Sequence, residues 1–297
     1  MDTNTYSLQC GQLSAKISSV GGEICSLCYG DTQLIWQGAP AYWEGSAPFL
    51  FPFCGRVKDG IYRWKGVDYP MPIHGFLPQA ELTITDHSVN QLTLTLTDTT
   101  ETRKVYPFPF QLELSYQLTE SSLRVTATVR AGDSVLPFSF GAHPGFNLPI
   151  TSEGFDGARL QFENSDPLCR IEITPCGLLG EGRTDYPLPN GALPLSPDPA
   201  GDCGIFFRLS PAQRGLTLTA PALPCDIRMA FADFPVLGLW HAEGAPYLCI
   251  EPWQGLPALD GIPTSLAHKP ETLWLAPHQA HTMTLEIQLL QKGHRHV

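Results

Sequence analysis

The segment Gln111–Arg130 decides the fold class of this chain; it reads Gln-Leu-Glu-Leu-Ser-Tyr-Gln-Leu-Thr-Glu-Ser-Ser-Leu-Arg-Val-Thr-Ala-Thr-Val-Arg. Apolar and polar residues alternate on both sides of Glu120-Ser121, which is the pattern of β-strands with one buried and one exposed face. The tight connection between the two halves predicts an antiparallel hairpin. We therefore expect a fold built from antiparallel sheets.

The same alternation recurs along the chain, at residues 91–97, 216–219 and 282–290. A helical period is not convincing anywhere, and the best candidate, Pro40 to Trp43, is one turn at most. The 297 residues include 27 glycines and 28 prolines, which is typical of many short strands joined by ordered turns. No linker or repeat divides the chain. The prediction is an all-β protein with a single domain over residues 1–297.

Charge and the chain ends argue against several classes of partner. The formal net charge is −11 and no run of Lys or Arg offsets it, so nucleic acid and anionic membranes are not expected as partners. The N-terminus lacks a signal-peptide pattern and no apolar stretch has the length of a membrane span. We expect a cytoplasmic protein that acts on a small molecule.

The nine cysteines do not suggest a disulfide framework. Their number is odd and they are scattered over a large chain, so we interpret them as thiols. Cys25 and Cys28 form a C-x-x-C, but they lie in a strand-like segment, where residues three apart point to opposite faces. Without a second pair they do not complete a zinc site.

Two segments far apart in sequence each contain a proton-transfer group at a position where core packing alone does not call for one. His143 follows the strand-like residues 138–142 and precedes Pro144-Gly145, a position suited to general acid or base catalysis. A structural histidine bonded to the turn backbone is the alternative. Glu251 follows the apolar residues 247–250, and a carboxylate there must be paired, hydrated or functional. We predict that both belong to a functional site.

Other polar and aromatic residues are candidates for binding. Arg56 follows the aromatic residues 49–53 and needs a partner, unless it marks the core edge and reaches solvent. His74 precedes a glycine, where the backbone can approach a ligand closely. Aromatic rings can stack on the apolar side of a sugar, although core packing is the alternative for each. The tryptophans considered for this role are Trp43, Trp240 and Trp253.

An acid, a base and two hydrogen-bonding groups together predict an acid/base site. A metal site of His74, His143 and Glu251 would use the same residues. Their separations of 69 and 108 residues differ from the close spacing usual for such ligands. A glycoside hydrolase would need a second carboxylate opposite Glu251. The candidates for it are Glu243, Asp260 and Asp233.

Five motifs occur in an order and spacing that point to one family. They are Leu50–Gly60, His74-Gly75-Phe76, Tyr106–Phe110, His143–Leu148 and Ile250–Trp253. Together they resemble the aldose 1-epimerase (galactose mutarotase) family, more closely its shorter bacterial branch, over roughly residues 14–290. The resemblance implies an antiparallel β-supersandwich in a single domain, with no cofactor and no metal requirement.

The resemblance also implies residue roles. His143 would be the acid that protonates the ring oxygen, and Glu251 the base that takes the C1 hydroxyl proton. His74 and Arg56 would hold the ring oxygen and neighbouring hydroxyls. Ring opening, rotation about C1–C2 and reclosure would then give the opposite anomer of a hexose or related sugar. Two alternatives use the same fold: a non-catalytic sugar-binding or regulatory module, and a hexose-phosphate mutarotase in which Lys58 or Arg63 assists Arg56.

Overall fold

The computed structural model describes residues 4–152, 154–195, 198 and 204–292. Strands dominate the regular structure, as the alternating pattern predicts. In chain order they are β1 (Thr5–Cys10), β2 (Leu13–Ser18), β3 (Ile24–Tyr29), β4 (Thr32–Gln33), β5 (Phe49–Leu50), β6 (Ile61–Trp64), β7 (Val67–Pro70), β8 (Thr83–His87), β9 (Gln91–Thr97), β10 (Phe110–Leu118), β11 (Ser122–Ala131), β12 (Leu136–Phe138), β13 (Phe140–Ala142), β14 (Gly145–Asn147), β15 (Arg159–Phe162), β16 (Leu168–Ile173), β17 (Leu179–Tyr186), β18 (Ala192–Pro194), β19 (Ile205–Arg208), β20 (Gly215–Thr219), β21 (Cys225–Ala230), β22 (Val236–Trp240), β23 (Tyr247–Gln254), β24 (Thr264–Ser265), β25 (Leu273–Leu275) and β26 (Ala280–Gln291).

Two large antiparallel sheets form the body of the molecule. One has nine strands in the order β18-β15-β20-β21-β26-β11-β10-β9-β8. The other has the order β17-β16-β19-β22-β23-β13-β5, and β14 also pairs with β23. Smaller sheets are formed by β1 to β4, by β12 with β25, and by β24-β6-β7, in which β24 pairs with β6 in parallel. The predicted antiparallel β-supersandwich is confirmed.

The antiparallel hairpin predicted around Glu120-Ser121 is present. Strands β10 and β11 pair from Phe110 with Ala131 to Leu118 with Leu123. Leu112, Leu114 and the other alternate residues of β10 are buried, and the residues between them are not. Alternation therefore determined both the strands and the face that packs inward.

The described part of the chain also contains one short α-helix that the sequence pattern did not predict. It is α1 (Thr100–Val105), and none of its residues is buried. A capping box between Thr99 and Thr102 begins the helix. Because no apolar stripe faces the core, the helix has no hydrophobic periodicity to detect. Residues Pro40 to Trp43 form only a turn, as predicted.

The cores lie on both faces of the sheet that contains β23. The main core joins the inner faces of the two large sheets and includes Leu248 and Ile250. Trp253 belongs to a second apolar cluster, and Tyr247 and Cys249 to a third. Because side chains alternate along a strand, the odd-numbered residues of β23 lie on the face away from the main core.

Among the described residues, no helix is long and apolar enough to cross a membrane, and no disulfide joins the cysteines. The single domain over residues 1–297 stays a prediction. Its residues 1–3, 153, 196–197, 199–203 and 293–297 lie outside those the structure describes.

Candidate active site

Strand register brings His143 and Glu251 together. Gly141 pairs with Trp253 and Gly145 with Cys249, which places the interruption between β13 and β14 opposite the middle of β23. His143 lies in that interruption, and its Nε2 atom is 3.2 Å from Oε2 of Glu251. The two groups predicted separately from the sequence are therefore direct neighbours.

Glu251 lies within a strand, whereas the sequence suggested the point where a strand opens. Strand β23 continues through Pro252 and Trp253 to Gln254. The backbone N–H of Ile250 donates to the carbonyl of Pro144. Because backbone direction alternates along a strand, position 252 also faces β13 and β14. Pro252 lies one residue before Trp253, which forms the last pair between β23 and β13, so its missing N–H removes no bond from that ladder. Strand continuity fixes the direction of the Glu251 side chain.

Residues 138–142, which the sequence suggested as one strand before His143, belong to two strands. β12 pairs with β25, and β13 pairs with β23 and β5. Ser139 separates the two, so His143 follows a three-residue strand of the large sheet. The short strand and the following Pro144 hold the imidazole at the sheet interruption.

Burial shifts both members of the pair away from their charged forms. Glu251 is 1% exposed, and burial raises the pKa of its carboxyl group well above the ordinary 4.5. His143 is 7% exposed, and burial lowers the pKa of its imidazole to about 4. Oε1 of Glu251 has no hydrogen-bond partner among the described residues. These directions favour an uncharged pair, with the proton on the carboxyl group, over an imidazolium beside a carboxylate.

His74 contacts this pair through its ring. The ring centroids of His74 and His143 are 5.5 Å apart, and the backbone N–H of Gly55 donates to Nδ1 of His74 at 3.2 Å. The pKa of His74 lies well below 6.5. Burial is the largest cause, and the positive charges of protonated His143 and of Arg56 lower the pKa further. The ring is therefore neutral with Nδ1 as an acceptor, and Nε2 carries the proton.

Arg56 lies at the exposed rim beside His74. Its side chain packs over Gly177: a Cβ atom added at Gly177 would lie 2.9 Å from Cδ of Arg56. Lys58 is 3.5 Å from Asp260, and Arg63 forms an ion pair with Asp68. These two other candidate cations thus have carboxylate partners.

Two of the three tryptophans lie against His143. The ring centroid of Trp43 is 5.0 Å and that of Trp240 is 5.8 Å from His143, and both tryptophans are partly exposed. Trp253 is 2% exposed, packs 5.0 Å from Phe206 and meets His74 by an edge contact. Trp43 and Trp240 therefore form an aromatic wall on the solvent side, and Trp253 lies in the floor.

Sequence reasoning missed two residues of the site. Cys249 is buried, and its sulfur lies within 4.8 Å of ligand atoms of His143 and Glu251. Its signal was available, because residues two apart on a strand share a face. Glu23 accepts hydrogen bonds from the backbone N–H groups of Ser46 and Ala47, and so holds the loop that follows Trp43. No local pattern indicates that contact.

The three candidates for the second carboxylate of a glycoside hydrolase are either hydrogen-bonded to backbone or exposed. Asp233 accepts a hydrogen bond from the Thr284 backbone, and Asp260 from that of Gly261. Glu243 is exposed. Among the described residues, the cluster with metal-ligand character joins Glu251 to His143 and Cys249, with Cys249 in the place that the sequence suggested for His74.

The comparisons with known proteins show the family of this chain. The sequence profile of the aldose 1-epimerase family matches residues 4–186. The chain belongs to the aldose 1-epimerase family. The resemblance seen in the five motifs is thereby confirmed, and the matched range includes Arg56, His74 and His143. Glu251 lies beyond it.

Relatives in this family match over nearly the whole chain. The chromosomal LacX protein of Lactococcus lactis subsp. lactis is 28% identical over 96% of this chain and 99% of its own. A galactose mutarotase related enzyme from Lactobacillus acidophilus superposes with a TM-score of 0.90, at 28% identity and 98% coverage of both chains. A galactose mutarotase-like protein from Lactobacillus casei gives 0.91, at 29% identity, covering 96% of this chain and 99% of its own.

Proposed function

We propose that this protein interconverts the α and β anomers of a hexose or related sugar by acid/base ring opening and reclosure. The contact between His143 Nε2 and Glu251 Oε2, buried and 3.2 Å long, carries the proposal. Ring opening must add a proton to the ring oxygen and remove one from the C1 hydroxyl. A pair of proton-transfer groups with shifted pKa values is the minimum apparatus for that chemistry.

The pair keeps one proton in both of its forms. Burial favours the uncharged form, with the proton on Glu251. Transfer of that proton to His143 creates an imidazolium beside a carboxylate, which are the acid and base roles that family membership suggests. His143 then protonates the ring oxygen while Glu251 takes the C1 hydroxyl proton. Reclosure on the other carbonyl face reverses both steps, so no net proton leaves the pair.

Surrounding groups supply binding. Nε2–H of His74 is a donor for a sugar oxygen, and Arg56 offers further donors from the rim. Trp43 and Trp240 can stack on the apolar side of the ring. In this proposal Trp253 supports His74 from the floor, because its burial leaves little indole surface for stacking.

The contacts favour an unphosphorylated sugar. A hexose-phosphate site needs clustered cations, and Lys58 and Arg63 each have a carboxylate partner. A non-catalytic binding module would have no use for a buried carboxyl group facing an imidazole, which costs stability unless it functions. The cytoplasm, predicted from the sequence, remains the proposed compartment.

The test is a measurement of anomer exchange. We would follow α/β interconversion by NMR for a panel of aldoses, with the wild type, Glu251→Gln and the exposed-glutamate control Glu243→Gln. We expect catalysis by the wild type and by Glu243→Gln, and a kcat at least about a hundredfold lower for Glu251→Gln, which should still bind sugar. If several sugars bind to the wild type and none exchanges faster than in buffer, the protein is a binding module.

A further inference from the structure

We propose that His143, Cys249 and Glu251 together form a binding site for a borderline divalent cation, for which Zn²⁺ is the probe. The three residues are buried, and one ligand atom from each lies within 4.8 Å of the others. Imidazole nitrogen, thiolate sulfur and carboxylate oxygen are the three ligand types that protein zinc sites use. No part of the proposed sugar chemistry requires the thiol.

The spacing fits a zinc ion after a small adjustment. Ligands at ordinary zinc bond lengths are about 3.3 to 3.6 Å apart in a tetrahedral site. His143 Nε2 and Glu251 Oε2, at 3.2 Å, are already near that separation. Closing the remaining gap requires the Cys249 sulfur to approach them by about an ångström, which a χ1 change of one side chain can provide.

Two strands hold the ligands in place before any ion binds. Cys249 and Glu251 lie two residues apart on β23, so their side chains share one face. Strand β22 pairs along β23 from Trp240 with Cys249 to Val236 with Trp253. His143 approaches from the opposite side, at the interruption between β13 and β14.

Charge and hydrogen bonding also favour a cation here. When the Cys249 thiol and the Glu251 carboxyl group both release their protons to solvent, thiolate and carboxylate together balance the two charges of Zn²⁺, so the buried assembly is neutral. Glu251 is 1% exposed and its Oε1 has no partner among the described residues. Such an atom is costly to bury, and an ion bound through both carboxylate oxygens would satisfy it.

A bound cation would occupy both proton-transfer groups. His143 and Glu251 could then neither donate nor accept a proton, so the ion would act as an inhibitor that a chelator removes. This consequence rests on the proposed function, whereas the binding site itself does not. Metal binding and anomer exchange are therefore measured separately.

The test uses the reduced, metal-stripped full chain. Co²⁺ titration should produce the near-ultraviolet absorption of a thiolate-bound ion, and Zn²⁺ calorimetry should show one equivalent bound. We expect Cys249→Ser to abolish the absorption and to weaken Zn²⁺ binding at least about tenfold. Cys225→Ser should bind both ions like the wild type, because Cys225 is a buried thiol of β21 in the other large sheet.

A second variant covers the case in which Cys249→Ser does not fold. Glu251→Gln should keep a thiolate absorption but show at least about tenfold weaker Zn²⁺ binding. Absence of the absorption in the wild type overturns the proposal, and so does Zn²⁺ binding that neither variant weakens. If Zn²⁺ binds as expected but no sugar exchanges, the metal site stands and the proposed enzyme activity fails.

Discussion

Nε2 of His143 and Oε2 of Glu251 lie 3.2 Å apart. His143 lies in the break between the short strands β13 and β14, and Glu251 lies near the centre of the long strand β23. Both groups are buried, and burial raises the pKa of Glu251 and lowers that of His143. In the proposed mechanism the two groups exchange one proton, so we test them together.

We expect His143→Asn and Glu251→Gln each to lower kcat by about 10² to 10⁴ for anomer exchange. The double variant should lose about as much as either single variant, because removing one partner already disables the shared proton. Initial rates by polarimetry measure all three. Losses that multiply in the double variant would show that the two groups act independently.

The pH dependence of kcat/KM should be broad through neutrality. Below about pH 4 the imidazole of His143 gains a proton while Glu251 keeps its own, so the pair has no base. On the alkaline side, above the raised pKa of Glu251, the carboxyl group loses the proton that it would pass to His143, so the pair has no acid. We expect activity to fall at both ends. A fall already between pH 7 and pH 5 would contradict this account, because His143 would then titrate near 6.5.

Glu251→Gln should be more stable than the wild type at neutral pH. The folded-state pKa of Glu251 is raised above 4.5, so between these values the folded protein keeps a proton that the unfolded chain has lost. The stabilising contribution of that protonated carboxyl is complete below about pH 4.5 and disappears as the pH rises through the folded pKa.

The difference in Tm between Glu251→Gln and the wild type should therefore grow as the pH rises from about 4.5 to 8. Differential scanning calorimetry at several pH values measures it. A difference that is constant over this range would mean that Glu251 titrates at the same pH in the folded and unfolded states.

Glu23 should position the loop that carries Trp43. Glu23→Ala leaves the N–H groups of Ser46 and Ala47 without their acceptor, which should cost about 1 to 3 kcal/mol in the free energy of unfolding. It should also raise KM more than it lowers kcat, because Trp43 binds sugar in the proposed site.

Glu23→Gln keeps an amide oxygen as acceptor and should restore most of both properties. Glu44→Ala, at an exposed position of the same loop, serves as the control. Stability is measured by urea unfolding and KM by anomer exchange. If Glu23→Ala destabilises the protein with KM unchanged, the role of Glu23 is only structural.

Gly75→Ala should severely destabilise the protein. Gly75 has a φ of 78°, and an added Cβ would lie 2.1 Å from the carbonyl oxygen of Phe51. We expect a loss above about 3 kcal/mol, because both the backbone conformation and the close contact oppose the methyl group. Gly244→Ala, with φ 67° and no atom within 4 Å of its Cβ, should lose only about 1 kcal/mol. Similar losses in urea unfolding would contradict the steric argument.

Local alternation was enough to predict the strands around residues 111–130 and the inward face of β10, because a strand's period of two is a property of consecutive residues. The helix α1 escaped prediction because its short exposed surface has no apolar stripe. Glu251 was placed at a strand end because proline usually ends pairing. Only the neighbouring strand's interruption shows why Pro252 is tolerated within β23.

The sequence by itself determined the fold class, the family resemblance and the residue types of an acid/base site. Only the tertiary structure decided that His143 and Glu251 touch, that Cys249 joins them, and that Trp253 lies in the floor while Trp43 and Trp240 face solvent. The reason is physical: alternation sets which way each side chain points along its own strand, but register between strands 108 residues apart sets which side chains meet.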